Sequence, residues 1–308
     1  MSRSPTLTRR RFLAALLAAS ASARYAAAAE RGGLTIRHLL ASSLFGQEPV
    51  EAVLPQVAAT GSEAIDLWPK VHGAQREAVD AMGVAAFNAM CREADVRVGC
   101  LTRYDLGTGR LRPEIGVAKA LGADMLVSGP KSPKAVAAKD LKAEVGKFVK
   151  ATRPLVAAAE EAGVTVAVEN HRRNLFEAAD SLRYLRDLRT SPNLAVALAP
   201  AHLPQDPASV AALVRDLGGA IAVFYAWERG DDFLRKTPTG RETDQLPGVG
   251  AFDFAPVVDA LAAVGYAGWT SVFMHPVPRG VPAAGSVAET TAAVNRSLAH
   301  LRGLAGRA

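Results

Sequence analysis

The sequence predicts an α/β protein built as one (β/α)8 barrel, and three observations carry that reading. Short apolar runs alternate with longer amphipathic ones eight times after residue 30, the order of a parallel sheet wrapped by helices. The stretch V-T-V-A-V-E-N-H at 164–171 alternates Val164, Val166 and Val168 with Thr165, Ala167 and Glu169, the period-2 signature of a strand that ends in an acid. The 308 residues are 49% hydrophobic with no linker-like stretch dividing them, which suits one large core.

Taken in order, Leu34–Ser42 reads as the first strand, and the helix Pro49–Ala59 follows it and ends near Gly61. Glu63–Trp68 is the second strand, leading into a long helix over Ala74–Ala94 with its charges outside. Val96–Thr102 precedes the helix Pro113–Leu121, stopped at Gly122. Ala123–Ser128 precedes Lys139–Ala162, stopped at Gly163, because a glycine accepts the left-handed backbone that ends a helix. Val164–Glu169 comes next, followed by the helix Glu177–Arg189. Three further pairs complete the series: Leu194–Ala199 with Asp206–Leu217, Ile221–Trp227 with Phe254–Val264, and Trp269–His275 with Val287–Leu304. One stretch breaks the economy. Glu228–Asp253 is polar, rich in glycine and proline, and too long for a simple connection, so it is expected to lie over the barrel mouth as a lid.

The first 29 residues belong to a different object. Thr8-Arg9-Arg10-Arg11-Phe12-Leu13 is a twin-arginine export signature, the apolar run Phe12 to Ala23 follows it, and Ala26 to Ala29 offer a cleavage site. The run is too short to span a bilayer as a mature helix. The expected division is therefore a signal peptide at 1–29 and a barrel at 30–308, with the mature protein periplasmic and outside the membrane. The signal holds five arginines and no acid, so the formal charge of +6 falls to +1 once it is removed. A near-neutral mature surface gives no support to nucleic-acid binding. The two cysteines, Cys91 and Cys100, read as small buried hydrophobes more readily than as a disulfide.

Side chains that point inward at the C-terminal ends of barrel strands form the floor of the site. Glu169 is the anchor there, because a carboxylate at such a depth costs energy unless it is paired or put to chemical use. His38, Asp66, Trp68, His72, His171, His202, Tyr225, Trp227, Glu228, His275 and Arg279 fall at the corresponding ends of other strands. Glu169, His202, His275 and Glu228 are the candidate catalytic groups. His38, Trp68, His171, Tyr225, Trp227 and Arg279 are the candidate substrate-binding groups, the aromatic ones offering flat faces to a sugar ring.

Val166–Asn170, the His202 segment, L-P-G-V-G-A-F-D-F from Leu246 and G-Y-A-G-W from Gly265 together resemble the sugar phosphate isomerase/epimerase superfamily, the xylose isomerase-like TIM barrels. The resemblance covers nearly the whole chain after the signal. It implies an isomerase or epimerase, or a lyase, that abstracts a proton beside a carbonyl with the help of a divalent metal held by Glu, Asp, His and Glu. The first glutamate matches Glu169, but the other three positions fall on Ala199, Tyr225 and Phe273. Alanine and phenylalanine bind no metal, and tyrosine replaces imidazole poorly. Two expectations follow: a displaced site for manganese, zinc or iron on Glu169, His202 and His275, or a metal-free site in which an enediolate is held by His⁺ or Arg279.

The reading is thus an exported isomerase or epimerase-like enzyme acting on a carbohydrate or polyol-like small molecule. The alternative is a non-catalytic sugar-binding relative with a degenerate metal site. Export is directly testable: Arg9→Lys with Arg10→Lys should leave precursor in the cytoplasm, and unchanged periplasmic yield on fractionation would remove the assignment.

Overall fold

A parallel ladder leaves polar backbone exposed at its first and last strands unless those two meet. The computed structural model describes residues 33–131, 136–230 and 234–307, so the expected signal peptide at 1–29 lies outside the described residues. Among these, eight strands form one sheet in sequence order, every neighbouring pair parallel. They are β1 Leu39–Ala41, β2 Ala64–Leu67, β3 Val98–Thr102, β4 Met125–Ser128, β5 Thr165–Glu169, β6 Leu194–Leu198, β7 Ile221–Ala226 and β8 Trp269–Val272. Apart from half-buried Thr165 and Ala222, every strand residue is buried, as a sheet covered on both faces requires.

The seam between β1 and β8 closes the ring. The Thr270 N–H donates to the Arg37 carbonyl at 2.8 Å, and His38 bridges to Thr270 in the parallel sense. The His38 imidazole takes over where the ladder stops: Nδ1 lies 2.6 Å from Ser62 Oγ, and Nε2 accepts the Val272 N–H at 3.3 Å. Burial pushes this ring down to about 3, with the charge of Arg302 adding to the effect, so it stays neutral. His38 was expected among the substrate-binding groups at the strands' C-terminal ends. The structure corrects that placement, because β1 begins only at Leu39 and His38 stands ahead of it with both ring nitrogens engaged.

The helical expectations hold in type and differ in continuity. Lys139–Ala162 is realised as the helix Leu141–Ala162, ended by Gly163 at φ 73°. Ala74–Ala94 divides into Gln75–Met82 and Val84–Glu93, because Gly83 sits at φ 83° and ends the first helix. Pro49–Ala59 likewise forms two short helices, Val50–Val53 and Pro55–Ala59. Cys91 and Cys100 are free and buried. No helix among the described residues is long and apolar enough to cross a membrane.

The stretch G-V-G-A-F-D-F has a mechanical explanation. A Cβ on Gly250 would stand 2.3 Å from Glu228 Oε1 and 2.0 Å from the Asp244 carbonyl, so only glycine lets the loop fold against that carboxylate. Asp253 Oδ1 then accepts the Ala255 N–H at 2.9 Å, at the start of the helix Ala255–Ala263.

The seam yields a prediction. His38→Ala orphans the buried Val272 N–H, and each buried group left unmatched costs about 1–3 kcal/mol. Urea denaturation should show a loss of that order; a midpoint unchanged from wild type would mean that the imidazole does not hold the seam.

Candidate active site at the barrel mouth

Glu169 closes β5 and is 5% exposed. Burial pushes it up from 4.5 to about 7, partly offset by the charge of His171 and by a hydrogen bond from Tyr104. The Tyr104 hydroxyl is buried and aimed at this carboxyl, its geometry short of a fully formed bond. The chain neighbour of Tyr104, Arg103, belongs to an ionic cluster. Arg103 pairs with Glu114 at 2.7 Å and with Asp105 at 2.7 Å, while Arg76 holds Glu114 from the other side at 2.9 Å. Sequence reading missed Tyr104, although continuing the alternation of Cys100 and Thr102 past the end of β3 points to it.

His202 reaches Glu169 through a clasp at the next strand. Asn170 Nδ2 donates to the Ala199 carbonyl at 3.0 Å, and its Oδ1 accepts the Ala199 N–H at 2.7 Å. That clasp fixes the 3-10 turn Pro200–His202 and sets His202 Nε2 3.6 Å from Glu169 Oε1. The approach exceeds a hydrogen bond and is no ion pair, since burial and the charges of Arg172 and Arg229 push His202 down to about 3. His171 lies against it at 4.1 Å between ring centres, with Nδ1 2.8 Å from the Arg172 carbonyl oxygen. Glu169, Tyr104, His171 and His202 thus form one group.

A second group lies across the mouth. The indole of Trp227 touches both, 5.3 Å from the His202 ring and 5.1 Å from that of His275. His275 is 4.8 Å from His72, ring to ring. Burial and the Arg279 charge lower both imidazoles, His72 to about 4 and His275 well below its usual value. The expected enediolate partner His⁺ is therefore corrected: these rings are neutral at pH 7 because desolvation and the nearby cationic side chains both disfavour the charged form, with Glu177 only partly opposing them at His202.

Beneath the two groups lies an aromatic layer. Phe273 stacks on Trp68 at 5.1 Å and 23° and meets Tyr225 and Trp227 edge-on at 5.7 and 5.2 Å. Asp66 orients Trp68, its Oδ2 accepting the indole N–H at 2.7 Å and the Thr102 hydroxyl at 2.7 Å. Its Oδ1 is left without a hydrogen bond, and burial raises the carboxyl to about 6. The Tyr225 hydroxyl lies 3.4 Å from Thr102 Oγ1. Trp68, Tyr225 and Trp227 are each at most 4% exposed, so they act as packed support more than as open stacking faces.

Two expected roles change. Glu228 accepts the backbone N–H groups of Ala251 at 3.1 Å and Phe252 at 3.0 Å, so it brackets the loop over 229–250 in place of moving protons. His275 was placed inward by strand alternation, but β8 ends at Val272. Gln245 instead clamps the His275 backbone, accepting its N–H and donating to its carbonyl, both at 2.9 Å. The displaced metal site on Glu169, His202 and His275 is corrected accordingly. No three His, Cys, Asp or Glu side chains among the described residues gather as metal ligands. The donor set does not fit a divalent ion.

A parallel barrel with its reactive side chains gathered at one strand end is the architecture of barrel enzymes. The chain belongs to the xylose isomerase-like TIM barrel family, whose match spans residues 54–302. Among solved structures it is similar to an IOLI protein with a binding zinc atom, at 14% identity and TM-score 0.70 over 88% of this chain and 99% of that one. It is also similar to L-ribulose 3-epimerase, at 18% identity and TM-score 0.63 over 89% and 95%. A third likeness is to D-psicose 3-epimerase with D-tagatose from Clostridium cellulolyticum H10, at 14% identity and TM-score 0.65 over 87% and 99%. No curated protein matches the chain. At these identities the likeness shows the fold.

The Glu169 shift fixes a pH dependence with a definite sign. Between pH 4.5 and about 7 the unfolded chain releases this proton while the folded chain keeps it, so Glu169 erodes native stability as pH rises through that window. Glu169→Gln removes the titration. Melting temperatures should agree with wild type near pH 5, and the variant should melt higher at pH 8. Equal melting at pH 8 would show that the carboxyl is not desolvated.

Proposed function

We propose that the barrel mouth binds a carbohydrate or polyol-like molecule and that Glu169 moves a proton beside its carbonyl, as an isomerase, an epimerase or a lyase would. The observation that carries this reading is a carboxyl poised near neutrality, at about 7, at the C-terminal end of a family barrel strand. A base of that strength gains and gives protons with little bias at physiological pH. Tyr104 sets its buried hydroxyl toward the carboxyl, and neutral His202 offers an N–H donor to an oxygen on which charge develops, while the single N–H of neutral His171 is taken by the Arg172 carbonyl. No step is routed through a metal, because the donors present do not fit one. The sugar epimerases among the similar structures support a carbohydrate substrate. The twin-arginine signature supports a periplasmic setting for it.

One observation favours a second reading. Ala199, Tyr225 and Phe273 stand where the family resemblance calls for metal ligands, and Phe273 is packed against three aromatic side chains. A non-catalytic sugar-binding protein would look the same at these positions.

Proton exchange in heavy water separates the two. Wild-type protein incubated with ketopentoses and ketohexoses should incorporate deuterium beside the carbonyl. Glu169→Gln should retain its fold and lose about 10²–10⁴-fold in exchange rate, the usual effect of removing a general base. Sugar binding without exchange in wild type would leave the binding-protein reading in its place.

A further inference from the structure

His202 sits on a piece of backbone too short to hold itself. Its 3-10 turn, Pro200–His202, has three residues. Two backbone hydrogen bonds belong to it, His202 N–H to the Ala199 carbonyl at 3.2 Å and Leu203 N–H to the Pro200 carbonyl at 2.9 Å. The last carbonyls of so short a turn find no partner within it and take them from side chains. Asn170, at the end of β5, secures only the start of the turn, at Ala199.

The rest of the turn is held from β7. Arg229, half-buried just beyond that strand, lays its guanidinium along it. Nη2 donates to the Leu203 carbonyl at 2.6 Å and Nε to the Ala201 carbonyl at 3.4 Å, the residues on either side of His202. Gln205 completes the clamp. Its Oε1 accepts the Arg229 N–H at 2.8 Å, and its Nε2 donates to the carbonyls of Pro200 and Leu203, both at 2.9 Å. A planar guanidinium that meets two carbonyls fixes an orientation as well as a distance. The ring so held has Glu169 Oε1 3.6 Å from its Nε2 and the His171 ring 4.1 Å away. Burial keeps it neutral, and the charges of Arg172 and Arg229 add to that against Glu177.

We infer that Arg229 is a positioning residue: by gripping the carbonyls of Ala201 and Leu203 from the loop after β7, it holds the His202 imidazole beside Glu169. The inference rests on the proton transfer proposed above and adds to it a residue that acts through another side chain. His202 serves only if its N–H reaches the oxygen on which charge develops, and a misplacement of about 1 Å at such a contact costs ~10²-fold in rate. The grip also ties His202 to the neck of the loop over 229–250. Glu228 N–H donates to the Gln245 carbonyl at 2.9 Å, which pins the entry of that loop to its exit. Gln245 in turn clamps the His275 backbone. Arg229 stands at this neck, so the seating of the loop and the seating of His202 depend on one another.

Arg229→Gln and Arg229→Lys test this against wild type with two readouts. In the ligand-free proteins, NMR of labelled histidines follows the His202 ring, with exposed His300 on the helix Val287–Ala305 as internal control. Arg229→Gln should move or broaden the His202 signal at pH 7 and leave that of His300 in place. Arg229→Lys, which keeps the charge and loses the planar fork, should fall between. In deuterium exchange on ketopentoses and ketohexoses, Arg229→Gln should lose ~10²-fold in kcat with KM little changed, and Arg229→Lys should recover part of the loss. Should Arg229→Gln fail to fold in thermal melts, Gln205→Ala cuts the other half of the clamp and should give the same two results. A His202 signal and a kcat unchanged in Arg229→Gln overturn the inference, and a lowered melting temperature beside them makes Arg229 a structural brace. If wild type exchanges no ketose, the proton transfer proposed above fails, and the His202 signal alone decides whether Arg229 positions the ring.

Discussion

Closing a parallel sheet on itself requires the first and last strands to satisfy one another, and in this chain that contact is thin. β1 has three residues, and the seam to β8 rests on the Thr270 to Arg37 hydrogen bond and on the His38 imidazole standing in for the ladder. A ring with an open seam would expose unpaired backbone and spread the strand ends. Every distance across the mouth depends on that closure. Glu169 on β5, Tyr104 beyond β3 and His275 beyond β8 share one opening only because the ring is complete.

Inside the ring, desolvation sets the chemistry. The same burial that holds the imidazoles neutral pushes Glu169 and Asp66 toward neutrality from the other side. A folded protein keeps such a carboxyl at a cost to its stability, and groups of that kind cluster at functional sites. The aromatic layer of Trp68, Tyr225, Trp227 and Phe273 supplies the low polarity, and its packing fills the space beneath the reactive groups. Among the described residues the mouth is therefore an apolar floor under polar side chains, with no group of three metal ligands.

The polar residues divide by what holds them. Asn170, Gln245 and Glu228 use their side chains on backbone groups of neighbouring loops, and so position His202, His275 and the loop after β7. Glu169, Tyr104, His171 and His202 instead gather against one another beyond the strand ends.

The barrel was legible in the sequence because its signals are local. Period-2 runs such as 164–169, helix-ending glycines such as Gly163, and the acid at the end of β5 need no knowledge of distant residues. Where local signals competed, boundaries moved: Gly83 divides a helix that reads as continuous, and β8 stops three residues short of His275. Only the tertiary structure decided which polar side chains meet. His38 and Glu228 look like site residues until their partners, Val272 and the backbone at 251–252, come into view. His275 follows Phe273 by two residues and would share its face on an extended strand, yet β8 has ended and Gln245 holds its backbone. Sequence spacing fixes which side of an element a residue occupies, whereas pairing depends on how separate elements close around one another.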